Sequence, residues 1–333
     1  MSSDFWRGRR VFITGHTGFR GSHLALTLKK AGAEVFGFSL SPSTNPNFFE
    51  VANVGQGLSS TFGDVRDVAA LKASLEFSQA EVVFHLAGGG GLRDSWDKVS
   101  ETYSSQVMGS VNLLECLRET ATVRAVVFLS SDKVYRPSKA DLVETDPLAG
   151  GAPAATAKAC TDLILESYLQ GVFAPEKYNK HKIALASARM GSVIGGGDFS
   201  PESFIWQLAQ ANQAGLDLPL KNPDSIRPWM HVDDAVSALM MLAKALLEQG
   251  PKASGGWNFG VGSAHQMSVG QAAEIFKSKY GNSKAQEFQL TSKGSTHGML
   301  NSEKAKNQLS WSPQITVEAG LQRTAEWYKN YFA

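Results

Sequence analysis

No run of apolar residues in this chain is long enough to cross a bilayer, and the opening MSSDFWRGRR has no apolar signal core. The expectation is neither a membrane protein nor a secreted one. Cysteine is scarce. Cys116 and Cys160 lie in segments that read as helices and match no metal or redox spacing, so reduced thiols in a cytoplasmic protein are expected, and no metal. An excess of charge of either sign is missing as well. With 32 basic and 31 acidic residues the net charge is +1, which gives neither nucleic acid nor an anionic membrane an electrostatic reason to bind. No internal repeat or low-complexity tract stands out. What is present, 43% hydrophobic and 19% charged residues over 333 positions, suffices for one large core or two domains of a soluble α/β chain.

The chain is organised around Arg9–Lys30, RRVFITGHTGFRGSHLALTLKK. Val11, Phe12 and Ile13 form a short apolar run with β preference, bounded by glycine as a buried parallel strand requires. Gly15, Gly18 and Gly21 follow in a GxxGxxG spacing, and Leu24, Leu26 and Leu28 begin a helix. Strand, glycine turn and helix together point to a dinucleotide. Gly15 permits the tight turn, Gly18 lets the backbone approach a pyrophosphate, and Gly21 lets helix and strand pack closely. The helix N-terminus supplies free N–H groups for the phosphates.

Further strands are expected at Glu34–Ser39, Glu81–Leu86, Arg124–Ser130 and Ile183–Arg189. The end of the second strand carries neither an acid nor an arginine. Ser41, Ser43 or Thr44 there suits a ribose hydroxyl or a 2′-phosphate, or plain loop chemistry, so NAD and NADP both stay open. Asp67 reads as a helix N-cap and His85 as a core histidine. Trp96–Thr120 reads as one long helix, with Tyr103, Val107, Val111, Leu114 and Leu117 at helical spacing. Ser268-Val269-Gly270-Gln271 is a capping-box pattern before a helix. The fold expected is α/β: a Rossmann-like doubly wound parallel sheet over 1–190, then a smaller C-terminal α/β substrate-binding lobe over 191–333, with some segments returning to the first domain.

Taken together, FWRGRRVFITGHTGFRGS, GDVRD, ETYSSQVMGSVNLLE, SSDKVY, VIGGGDF, NPDSIRPWMHV, GWNFG and LSWSP cover nearly the whole chain in order. They resemble the extended short-chain dehydrogenase/reductase superfamily in its sugar-nucleotide branch, most closely the CDP-glucose 4,6-dehydratases. The resemblance implies an NAD-dependent lyase acting on a nucleotide-sugar, as a homodimer or higher homo-oligomer. It implies a cofactor site from Gly15, Thr17, Gly18, Phe19, Gly21, Ser41, Asp64, Val65, Leu86, Ala87 and Lys158. Asp64 falls on the acid that binds the adenine amino group. Arg93, Ser192 and Arg227 fall on substrate positions, with Arg227 on the nucleotide pyrophosphate. Ser131 would bind the sugar's C4 oxygen, Asp132 would protonate the departing C6 hydroxyl, and Lys133 would act at C5.

The departures are equally specific. The superfamily's YxxxK motif keeps its lysine at Lys158, but Ala154 stands at the tyrosine position. Gln106 and Ser192 stand where the family has asparagine, and Ser41 where it has an acid. Three substitutes for the tyrosine exist: Asp132 or Lys133 acting directly, Tyr135 swinging in, or a water filling the vacated volume. The expected function is therefore a 4,6-dehydratase with an atypical proton path. The alternatives are a catalytically silent dinucleotide- or nucleotide-sugar-binding protein, or an epimerase or reductase of the same superfamily.

Overall fold

Short β-branched and aromatic runs ending in small residues form the strands, and the amphipathic stretches between them cover the sheet. The computed structural model describes residues 3–88, 91–138, 140–216, 218–220, 222–262, 266–281 and 298–333. Gly89 and Gly90, in the run Gly88-Gly89-Gly90-Gly91, lie outside the described residues. In chain order come β1 (Arg10–Thr14), α1 (Phe19–Lys30), β2 (Glu34–Ser39), α2 (Phe48–Val51), β3 (Ser59–Phe62), α3 (Val68–Ser78) and β4 (Val82–His85). They are followed by α4 (Asp94–Asp97), α5 (Val99–Tyr103), a π turn at Ser104–Met108, α6 (Gly109–Leu117) and β5 (Ala125–Ser131). A 3-10 turn at Asp132–Val134 leads to α7 (Pro153–Gln170), α8 (Tyr178–His181) and β6 (Ala184–Met190). The remainder comprises β7 (Val193–Ile194), α9 (Phe204–Ala214), β8 (Ile226–Arg227), β9 (Met230–His231), α10 (Val232–Gln249), β10 (Gly255–Phe259), β11 (Met267–Ser268), α11 (Val269–Tyr280), α12 (Glu303–Leu309) and α13 (Val317–Phe332).

One seven-stranded sheet has the order β3-β2-β1-β4-β5-β6-β10. β1 pairs in parallel with both β2 and β4, so the chain reverses its direction of winding between β1 and β4. That switch point leaves the strand ends of β1, β4 and β5 beside one crevice, the usual ligand position in open α/β sheets. One face of the sheet is sealed by Phe12, Phe38, Val83, Val126, Phe128 and Leu185, packed with Leu113 and Leu117 of α6 and Leu165 of α7. These side chains are buried on a fold where strand and helix each have one apolar face to hide.

The chain divides into two compact units. The first comprises Met1–Arg136, Glu144–Arg189 and Val236–Trp257, and so includes most of α10. The second comprises Pro137–Val143, Met190–Ala235 and Asn258–Ala333. Within the second, Phe199, Trp206, Trp327 and Tyr328 pack edge to face, and the Asp234 carboxylate accepts from the Gln314 and Ile315 amides at 2.9 and 3.0 Å. The capping box at Ser268 is complete: Gln271 N donates to Ser268 Oγ, and Ser268 N donates to Gln271 Oε1.

One sequence expectation is corrected. Trp96–Thr120 is not a single helix: Lys98 leaves the helical region with φ −127° and ψ 44°, and the π turn at Ser104–Met108 interrupts the rest. Apolar spacing tolerates an inserted residue because the stripe resumes after it, so periodicity alone cannot report a π turn. Among the described residues no helix is long and apolar enough to cross a membrane.

Candidate active site

The cofactor cradle is made of backbone. Gly15 has φ +77°, and a Cβ there would lie 2.7 Å from Ala87 N, inside the neighbouring strand end. A Cβ on Gly21 would lie 2.1 Å from Gly15 O, so the first turn of α1 can pass the loop only with glycine as its third residue. Gly18, the N-cap of α1, is different: a Cβ there would meet only Gly15 O, at 3.5 Å. The start of α1 has no side-chain cap, which fits a pyrophosphate as the acceptor for its first amides. Phe19 opens the helix, half-buried, with its ring edge against His23.

Side chains behind the loop fix it in place. His16 is fully buried, its Nε2 is 2.6 Å from Ser60 Oγ on β3, and burial pushes its pKa down to about 4 against the Phe38 carbonyl. Its ring occupies the space a Cβ on Gly37 would take, at 2.4 Å. Thr17 Oγ1 donates to Leu40 O at 2.9 Å and so accepts from Ser39 Oγ at 2.8 Å. Ser39 thus ends β2 as a buried residue, whereas Ser41 lies two residues on and exposed. His16, Gly37 and Ser39 were missed in sequence; the signal was a polar, aromatic side chain inside a glycine loop and a glycine inside EVFGFS.

Asp64 sits at the turn after β3. The Arg66 guanidinium donates to both its oxygens, at 3.0 and 2.9 Å from Nε, and holds its carboxyl below the usual range. Val65 is buried beside Gly109 of α6, and its carbonyl accepts from Asn112 Nδ2 at 3.0 Å. At the end of β4, Leu86 N donates to Thr14 O and Ala87 N to Thr14 Oγ1. His85 confirms its core reading: it is buried, and burial, then the Lys158 charge, push its pKa down to about 3. Ser110 Oγ donates to Gln106 O at 2.6 Å, so it accepts from His85 Nε2 at 3.2 Å. His85 Nδ1 is left to accept from Thr14 Oγ1 at 2.7 Å. A neutral histidine thereby ties β1, β4 and the first turn of α6 together.

Ser131, Asp132 and Lys133, the expected reaction groups, meet at the end of β5. Ser131 is its last residue; Ser131 Oγ donates to Asp132 Oδ1 and accepts from Lys133 N, both at 3.1 Å. Lys133 Nζ is 2.7 Å from Asp132 Oδ2, with the lysine exposed and the carboxylate mostly covered. Lys158 Nζ, on α7, donates to Leu129 O at 2.8 Å, two residues before Ser131. Burial, and then the Arg20 charge, lower its pKa to about 8, and Asp162 opposes the shift. Ala154 is buried one turn earlier on the same face of α7 and offers a methyl group. Tyr135 does not swing: it is buried and its hydroxyl accepts from Arg189 Nη1 at 2.7 Å.

The remaining expected residues lie on other elements. Arg93 is the exposed N-cap of α4 in the first unit. In the second unit, Ser192 O accepts from Met230 N at 2.9 Å, and Arg227 is exposed on β8 with its guanidinium 6.0 Å from the Trp229 ring. Gln106 is buried in the π turn with Oε1 lacking a hydrogen-bond partner, while its carbonyl serves Ser110 and Thr161.

Residues 11–254 match the NAD dependent epimerase/dehydratase family. The chain is 35% identical over 335 residues to the CDP-glucose 4,6-dehydratase of Salmonella typhimurium, covering 99% of this chain and 93% of that protein. Its fold is that of the UDP-glucose 4-epimerase of Thermotoga maritima, solved with UDP-glucose, at a TM-score of 0.80 and 22% identity, with 97% of this chain and 99% of that one covered. The dTDP-glucose 4,6-dehydratase of Bacillus anthracis, solved with NAD, gives a TM-score of 0.79 at 22% identity and 97% coverage of both chains.

Proposed function

The chain belongs to the NAD dependent epimerase/dehydratase family, and from that premise we propose that it is a 4,6-dehydratase of a nucleotide hexose of the CDP-glucose kind. The observation that carries the reading is the Ser131-Asp132-Lys133 turn at the end of β5, an acid and an amine 2.7 Å apart beside a hydroxyl. NAD, when bound, supplies the hydride acceptor for C4 and the hydride donor for C6, and is not consumed. Gly18 and the start of α1, shaped by Gly15 and Gly21, would hold its pyrophosphate, Asp64 and Ser41 would bind its adenosine, and Leu86 and Ala87 would flank it at the end of β4.

Asp132 replaces the missing tyrosine. Its carboxylate takes the C4 hydroxyl proton, with Ser131 Oγ holding that oxygen. The 4-ketone then acidifies C5, and the Lys133 amine removes the C5 proton. Asp132 gives its proton to the C6 hydroxyl, which leaves as water, and Lys133 returns its own to C5. One proton travels from the C4 oxygen to the C6 oxygen and another leaves and rejoins C5, so both side chains end as they began. Lys158 keeps a cation at the ribose side without a tyrosine to activate. The resemblance gives Arg93, Ser192 and Arg227 to the nucleotide sugar. Exposed Trp96, Met108 and Leu163 on the helices around α5 and α7 suit a homodimer.

Incubation with NAD and a panel of nucleotide sugars, read by mass spectrometry, tests the reading. A 4-keto product lighter by one water is expected from CDP-glucose or a close relative. The methyl group of Ala154 favours the second reading, a silent binding protein. That reading holds if NADH binds and no sugar turns over, and a product isomeric with its substrate would instead make the chain an epimerase.

A further inference from the structure

We propose that the buried Asp162–Arg189 pair is a positioning device that clamps the Ser131-Asp132-Lys133 turn at both its ends, an inference that rests on the catalytic reading of that turn. The pair is nearly solvent-free: the two side chains are 1% and 7% exposed, with Arg189 Nε 3.4 Å from Asp162 Oδ2. On one side of the turn, Ser130 Oγ donates to the same Asp162 oxygen at 2.6 Å. On the other side, Arg189 Nη1 donates to Tyr135 Oη at 2.7 Å, and the guanidinium lies 5.1 Å from the Tyr135 ring centroid. The same Nη1 donates to Glu144 O at 3.0 Å, fixing the segment that returns to pair with the turn's exit through Ala149 N to Val134 O and Arg136 N to Pro147 O. Residues 130 and 135 are therefore tied to one ion pair, and the catalytic three lie between them.

Two further features distinguish this from general packing. Burying two charges is costly, and well-packed apolar residues usually stabilise a core at least as well. The pair is also imperfectly satisfied, since Asp162 Oδ1 and Arg189 Nε have no hydrogen-bond partner. Such a group is poor as a source of stability and good as a fixed directional anchor. Asp162 additionally lies one helical turn after Lys158 and counteracts the fall of that lysine's pKa, so one carboxylate sets both sides of the reaction site.

Removing either ion leaves the other buried and alone, which endangers the fold, so the test releases one end of the clamp at a time. Tyr135→Phe keeps the ring over Arg189 and removes only the hydroxyl; Ser130→Ala does the same at the entrance. Hydrogen–deuterium exchange over residues 129–136 is read first, because it needs no turnover. Each variant is expected to raise exchange there by about fivefold while the β1–α1 loop stays as in the parent protein. Turnover of the sugar nucleotide is read second, with kcat expected to fall about tenfold at a KM and NADH affinity within about twofold. Asp162→Glu, which keeps the charge, should retain more kcat than Asp162→Asn. Unchanged exchange over 129–136, or a rise spread evenly over the sheet, overturns the clamp. If the parent turns over no sugar, the proposed activity fails while the exchange result still decides the clamp.

Discussion

Two strand ends of one sheet carry the proposed site, and they are held in opposite ways. At the end of β1 the backbone is the functional group: glycines leave room, and α1 presents amides. At the end of β5 side chains are the functional groups, and they are aimed by a buried ion pair whose members come from α7 and β6. The first arrangement requires the absence of atoms at fixed positions. The second requires atoms within hydrogen-bond reach across some 30 to 60 residues of chain, as with Ser130 to Asp162 and Tyr135 to Arg189, |i−j| 32 and 54. Loss of one functional side chain, as at Ala154, is therefore tolerable at β5 if a neighbour takes its proton, whereas any gain of a side chain at β1 closes the cradle.

The largest effect separates the two ends. Asp132→Asn should lower kcat by about a thousandfold or more while NADH affinity stays within about twofold, read by steady-state turnover and fluorescence titration. Parallel loss of both would mean the ends are not independent. Gly18→Val gives the converse outcome. The variant should fold, since nothing closer than 3.5 Å meets a Cβ there, and lose measurable NADH binding.

How far sequence reached follows the same division. The glycine spacing, the Asp67 cap, the Ser268 capping box and the β2 limits were legible because each is decided by residues within a few positions of one another. Asp162 and Arg189 were not, since a lone acid in a helix and an arginine at a strand end have no local signature until the fold brings them together. His16 was overlooked for a related reason: its partners Gly37 and Ser60 belong to two later strands. The π turn hid behind an apolar stripe that reads the same with or without it.

A smaller effect concerns pH. His16 and His85 are held neutral, with pKa values lowered from 6.5 to about 4 and about 3. Below pH 6.5 the unfolded chain takes up protons that the folded chain refuses. Their contribution is therefore intact above pH 6.5 and is lost as pH falls toward 4 and then 3. Near pH 5 the loss should reach about 2 kcal/mol per histidine, visible as a falling Tm that His85→Gln makes shallower. A Tm independent of pH between 7 and about 5 would show that neither ring is desolvated. The smallest effect is expected at the vacated position. Ala154→Tyr should change turnover by less than about tenfold if Asp132 moves the proton, as proposed. A large gain from an inactive parent would mean that the chemistry had been lost and not rerouted.

The central claim is that hydride and water leave one sugar on this chain without the tyrosine. The most direct measurement uses CDP-glucose carrying deuterium at C4, incubated with the protein and NAD, with the product's label located by NMR. The expected product is a 4-keto-6-deoxy sugar with the deuterium at C6 and one water lost, and the reaction is abolished in Asp132→Asn. Deuterium that stays at C4 in unreacted substrate, while NADH still binds with ordinary affinity, would contradict it.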